Sequence, residues 1–144
     1  MNKIDYFKKN CPEKYFENKI SETQDYEEYH HSLNYFKKAN FNYNNNFQTE
    51  SIDDYFTSIQ IISNALLLKK YNLFSKKSNC SYFLLYNKKE INKEEYLLIE
   101  KIRETRNSIH YHGYIALYLD NDIKEKIIKD SIKIFNKLKE TYEN

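Results

Sequence analysis

The sequence predicts an all-α fold. Across 144 residues it contains one glycine and one proline, the two residue types that punctuate turns and break helices. Residues 52–73 carry Ile52, Tyr55, Phe56, Ile59, Ile62 and Leu66 at three- and four-residue steps, which is a core-facing helical stripe. Helix-start signals recur through the rest of the chain. The expected architecture is an up-and-down bundle of four to five antiparallel helices in a single domain, residues 1–144, with 1–12 as a loose N-terminal lead-in.

The first long helix is expected over 13–39, burying Tyr15, Phe16, Ile20, Tyr26, Leu33 and Phe36, with His30 and His31 on its solvated face. "NFNYNNNFQTE", residues 40–50, reads as a loop, because asparagine side chains compete with the helix for backbone bonds. Ser51 then offers an N-cap for the 52–73 helix, with Asp53 and Asp54 in its first turn. Within that apolar helix, Asn64 is either a cleft residue or the partner of an internal hydrogen bond. A shorter helix starts near Ser75 and runs through "SYFLLYNKK". Asn92 with Glu95 forms a capping box for a helix over 93–112, which buries Leu98, Ile102 and Ile109 and ends at Gly113. Asp122 with Glu125 caps the last helix, with Ile123, Ile127, Phe135, Leu138 and Tyr142 inward.

Composition narrows the function classes. A net charge of +2 does not announce a nucleic-acid binder, although its distribution is uneven. Residues 1–60 hold seven Lys against ten acids, whereas 69–106 hold eight Lys and two Arg against five Glu. Cys11 and Cys80 have no metal-type spacing and are too few for a disulfide framework. No apolar run reaches the roughly 18 residues that a membrane span needs, so no membrane partner is expected and the expected location is the cytoplasm.

The chemistry gathers in "KIRETRNSIHYHGY", residues 101–114. This stretch holds both arginines of the chain, two of its four histidines and its only glycine. On a helix Arg103, Arg106 and His110 share one face, with His112 and Tyr114 extending the cluster past the helix end. Arginine supplies a planar, permanently charged fork that grips two phosphate oxygens at once, which lysine cannot do. Histidine exchanges a proton near neutral pH. Together they can bind a phosphodiester and activate a ribose 2′-hydroxyl, a reaction that asks for no metal and no cofactor. The plainer alternative is a polar network tying this helix end to its neighbours.

"RETRNSIHYHGY" resembles the signature of HEPN domains, an Arg followed after four to six residues by His, often with Asn directly after the Arg. Two alignments fit: Arg106 to His112, with Asn107 following the Arg and Tyr114 two residues past the His, and Arg103 to His110. The resemblance implies a HEPN-like helical bundle that pairs as a homodimer, with Arg103, Arg106, His110 and His112 as catalytic candidates and Asn107 and Tyr114 as binding candidates. Active members of that family are metal-independent endoribonucleases acting on RNA, frequently toxins of toxin–antitoxin or defence systems. Some are neutralised by a nucleotidyltransferase antitoxin that adds AMP to the motif tyrosine, for which Tyr114 would be the candidate. Other members have lost cleavage and bind RNA, nucleotide or a partner protein.

Overall fold

The stripe from Ile52 to Leu66 becomes the centre of the molecule, each of its six positions fully buried. The structure is a computed structural model describing residues 3–11, 16–19, 21–75, 77, 79–111 and 121–144, and only the backbone at 3, 4, 7, 17 and 109–111. In chain order its elements are α1 (Lys3–Asn10), β1 (Phe16–Asn18), α2 (Gln24–Asn44), α3 (Gln48–Tyr71), β2 (Leu73–Ser75), α4 (Ser81–Asn87), α5 (Lys93–Tyr111) and α6 (Asn121–Glu143). The all-α class holds, and α3 packs against α2, α4, α5 and α6. Around α3 a single cluster of buried side chains takes in Ala39, Tyr82, Tyr96, Ile102, Ile128, Phe135 and Leu138.

Helix α2 departs from its expected bounds at both ends. It begins at Gln24, not residue 13, and it runs on through Asn44 into the asparagine-rich stretch expected as a loop. Two of the asparagines there, Asn40 and Asn42, find partners across the helix interface, whereas Asn45 just past the helix end donates to the backbone carbonyl of Phe41. Asn42 Nδ2 donates to Asp54 Oδ2 at 2.7 Å, and Asn40 Oδ1 accepts from the Tyr55 hydroxyl at 2.5 Å. Packing thus overrides local propensity. The remaining connection, residues 45–47, turns on Asn46, whose φ of 67° lies in the left-handed region that asparagine tolerates. Contacts 42–54, 40–55 and 36–55 run in opposite directions along the two helices, so α2 and α3 form an antiparallel hairpin.

Because α3 starts at Gln48, Ser51 is not an N-cap; it is buried inside the helix and its hydroxyl donates to the Gln48 carbonyl. Asn72 ends the helix with φ 57°, filling the left-handed position that glycine usually occupies. Strand β2 follows directly and pairs antiparallel with β1, Phe16 opposite Ser75 and Asn18 opposite Leu73. This short ladder was not expected, since three residues leave no periodicity to read. Asn64 holds it to α3: its Oδ1 accepts from the Ser75 amide, so the internal hydrogen bond accounts for this polar residue.

Further expectations divide. The Asn92–Glu95 capping box is present, with both reciprocal side-chain-to-backbone bonds at 2.8 Å. The short helix is α4 and begins at Ser81, later than expected. Ile127, Phe135, Leu138 and Tyr142 are buried on α6, but Ile123 is 48% exposed and Tyr26 on α2 is 59% exposed. Glu125 is not capping α6; it accepts from the Tyr43 hydroxyl and Gln48 Nε2, both at 2.6 Å, tying α6 to the α2–α3 turn. Leu33 and Phe36 pack against the core as expected, Phe36 stacked on Phe135 at 4.2 Å. His30 and His31 are exposed. Tyr15 and Ile20 lie outside the described residues, and the side chain of Ile109 is not described.

The lead-in contains α1, and it is covalently anchored. Cys11 and Cys80 form a disulfide with Cα atoms 5.7 Å apart, so the two cysteines make one bridge where none was expected. No helix among the described residues is long and apolar enough to cross a membrane.

Candidate functional site

Helix α5 turns one face into the core through Tyr96, Ile99 and Ile102, while its second half carries both arginines on the flank of that face. The spacing places Arg103 and Arg106 one turn apart, and each is held by a carboxylate.

Arg103 reaches back along its own helix to Glu100. Its Nε donates to Oε1 at 3.2 Å and its NH2 to Oε2 at 2.9 Å, a two-pronged grip on a fully buried carboxylate. The Tyr82 hydroxyl from α4 donates to the same Oε1 at 2.5 Å. Burial alone would lower the pKa of Arg103, but the hydrogen bonds and charge of Glu100 outweigh it and hold the guanidinium above its ordinary value. Burial, then the charge of Glu100, pushes the Tyr82 and Tyr96 hydroxyls far above theirs. The result is a satisfied ionic cluster at the junction of α4 and α5, with the positive end partly open to solvent.

Arg106 reaches across to α3. Its Nε donates to Asp53 Oδ1 at 3.0 Å and its NH1 to Asn107 Oδ1 at 3.1 Å. The guanidinium carbon lies 5.3 Å from the centre of the Phe56 ring, within cation–π range. Asp53 and Phe56 sit at i and i+3 on α3, so one face of that helix supplies both the charge and the aromatic plane. Each side chain of the Arg106–Asp53 pair keeps about a third of its surface exposed, 30% and 33%. A guanidinium has five N–H groups, and these bonds use two.

Asn107 is therefore a direct partner of Arg106, and Arg103 sits one turn earlier on the same helix, turned to Glu100. His110 belongs to the last turn of α5, but its side chain is not described; His112, Gly113 and Tyr114 lie outside the described residues. Asp53, Phe56, Glu100 and Tyr82 are the residues that sequence reasoning missed. The Glu100–Arg103 pair was legible as an i, i+3 spacing of opposite charges. Nothing in the sequence points from Arg106 to Asp53, 53 positions earlier. Among the described residues no group of three or more His, Cys, Asp or Glu could hold a metal ion. The basic excess of 69–106 is also partly cancelled, with Lys70 paired to Glu90 at 2.9 Å as well as the two arginine pairs.

No family model, no curated protein and no solved structure matches this chain.

Proposed function

We propose that the protein is a metal-independent endoribonuclease of the HEPN type, acting as the toxin of a toxin–antitoxin or defence system. The observation that carries this reading is the Arg106 guanidinium, partly exposed on α5, oriented by Asp53, Asn107 and Phe56, and one turn ahead of His110. A guanidinium held through its Nε edge keeps N–H groups available for a phosphate.

Arg106 binds the scissile phosphodiester, and Arg103, anchored by Glu100, adds positive charge one turn away. His110 or His112 accepts the proton of the ribose 2′-hydroxyl. The 2′-oxygen bonds to phosphorus, the bond from phosphorus to the 5′-oxygen breaks, and the leaving 5′-oxygen takes up a proton. The products are a 2′,3′-cyclic phosphate and a 5′-hydroxyl. Homodimer pairing, which would bring two such helices to one cleft, and AMP addition to Tyr114 by a nucleotidyltransferase antitoxin belong to this reading through the motif resemblance. The test is incubation of purified protein with RNA in EDTA, followed by end-group analysis. Cyclic phosphate ends from wild type that disappear in the His110→Ala/His112→Ala variant support it; no cleavage by wild type rejects it.

One observation favours a second reading. Both guanidiniums are already paired with carboxylates of their own chain, which offsets part of the positive charge that would stabilise a transition state. On this reading the protein is a non-catalytic HEPN module for RNA, a nucleotide or a nucleotidyltransferase partner. Binding of RNA without cleavage, lost in Arg106→Ala, distinguishes it.

A further inference from the structure

The Arg106 site does not end at α5. Asp53 and Asp54 are neighbours on α3, with Cα atoms about 3.8 Å apart, and they reach to different helices. Asp53 accepts from Arg106 of α5, while Asp54 pairs with Lys38 Nζ of α2 at 3.6 Å and accepts from Asn42 Nδ2 at 2.7 Å. The side chain of Asp54 is 8% exposed and that of Lys38 is 63% exposed, so the carboxylate is the inner member of the pair and the ammonium the outer one. Arg103 over the buried Glu100 repeats this arrangement. These two pairs therefore turn their cationic members to solvent. Lys38 in turn belongs to a row on α2. His31, Tyr35, Lys38 and Asn42 follow at steps of four, three and four, which puts them on one helical face. Lys38 Nζ lies 5.7 Å from the centre of the Tyr35 ring, near the outer limit of a cation–π contact, and the His31 ring is tilted against Tyr35 at 5.1 Å. His31 and Lys38 are about 10 Å apart along the helix. The row thus runs from Arg106 past Asp53 and Asp54 to Lys38, Tyr35 and His31.

We propose that this row is a track for single-stranded RNA; it rests on the reading of Arg106 as a phosphodiester-binding group and extends that site to the neighbouring nucleotides. Lys38 takes a phosphate oxygen and moves off the Tyr35 ring, and the adjoining base stacks on the face this uncovers. Asp54 keeps a hydrogen-bond partner when Lys38 leaves, because Asn42 still donates to it. Every base has a π-face, so stacking on Tyr35 selects strandedness and not sequence. A duplex keeps its bases stacked on one another and offers Tyr35 none.

The test is fluorescence anisotropy with a labelled 2′-O-methyl RNA strand, which lacks the 2′-hydroxyl that cleavage needs, alone and annealed to its complement, in EDTA at several salt concentrations. Wild type should bind the strand at least about tenfold more tightly than the duplex. Tyr35→Leu should weaken strand binding at least about fivefold at every salt concentration. Lys38→Gln should lower the slope of log affinity against log salt by about 0.7, the value for one phosphate contact on a single strand. Lys37→Gln removes the same charge from the exposed neighbouring position outside the row and should leave the slope unchanged. Matched circular dichroism spectra check that each variant is folded. Equal effects of Lys37→Gln and Lys38→Gln, no loss in Tyr35→Leu, or equal affinity for strand and duplex each overturn the track. Weakening by Arg106→Ala alone overturns the track and leaves the Arg106 reading standing. If wild type binds no strand, the track is overturned, and cleavage of unmodified RNA in EDTA decides whether the Arg106 reading falls with it.

Discussion

Arg106 of α5 and Asp53 of α3 form a hydrogen-bonded ion pair at 3.0 Å across the helix interface, above the ring of Phe56. Asp53 fixes the guanidinium plane while leaving part of it open, so its contribution is to geometry more than to stability. An ion pair with this much solvent access is worth about 1 kcal/mol or less. Asp53→Asn should therefore shift the denaturation midpoint little, yet lower RNA cleavage about tenfold through misplacement of Arg106. Activity equal to wild type in a folded Asp53→Asn protein would remove Asp53 from the site.

Glu100 presents the opposite case. It is fully buried, and Arg103 and Tyr82 both depend on it. Glu100→Leu leaves Arg103 without its carboxylate and Tyr82 without its acceptor, and should cost about 3 kcal/mol. Adding Arg103→Met to the same protein should recover much of that loss, since an apolar pair needs no compensating charge. Urea denaturation of the single and double variants checks both; additive losses would mean the two side chains do not act as a pair.

The Asn92–Glu95 capping box anchors the start of α5. Asn92→Ala should destabilise the protein by about 1 kcal/mol, read as a lower urea midpoint with unchanged slope. This element was fully legible, because the spacing and the residue types specify the bonds themselves. The α3 stripe was legible for a similar reason: six apolar positions at helical steps define a buried face whatever they pack against.

What escaped sequence reading depends on partners far along the chain. Asn40 and Asn42 looked like loop residues until Tyr55 and Asp54 supplied cross-helix bonds that let α2 continue. Asp53 looked like a residue favoured near a helix N-terminus, and only the packing of α5 onto α3 gives it Arg106. The bridge between Cys11 and Cys80 spans 69 positions with no spacing rule to announce it. Of the motif itself, the arginines and Asn107 are now located, whereas the roles of His112, Gly113 and Tyr114 rest on the sequence alone.

Tyrosine ionisation provides a pH test of the packing. Burial raises Tyr29 and Tyr55 to about 12, and the hydrogen bond from Tyr71 to Glu90, followed by burial, raises Tyr71 to about 12. Each ionises near 10 in the unfolded chain, so above that pH the unfolded state releases the proton first. The stability these groups contribute is complete below about pH 10 and is lost as pH rises toward 12. Denaturation midpoints should be level from pH 7 to 9 and then fall, with absorbance at about 295 nm showing a late-titrating tyrosine class. A single tyrosine step near 10 in the folded protein would contradict the packing described.

On the proposed function, Arg106 handles a phosphodiester. Its most direct test is the cleavage rate of a defined RNA in EDTA by wild type and by Arg106→Ala, with matched circular dichroism spectra. Wild type should cleave, and the variant should lose at least about a hundredfold in rate, as for removal of a charge-stabilising donor. Equal rates for the two folded proteins would contradict it.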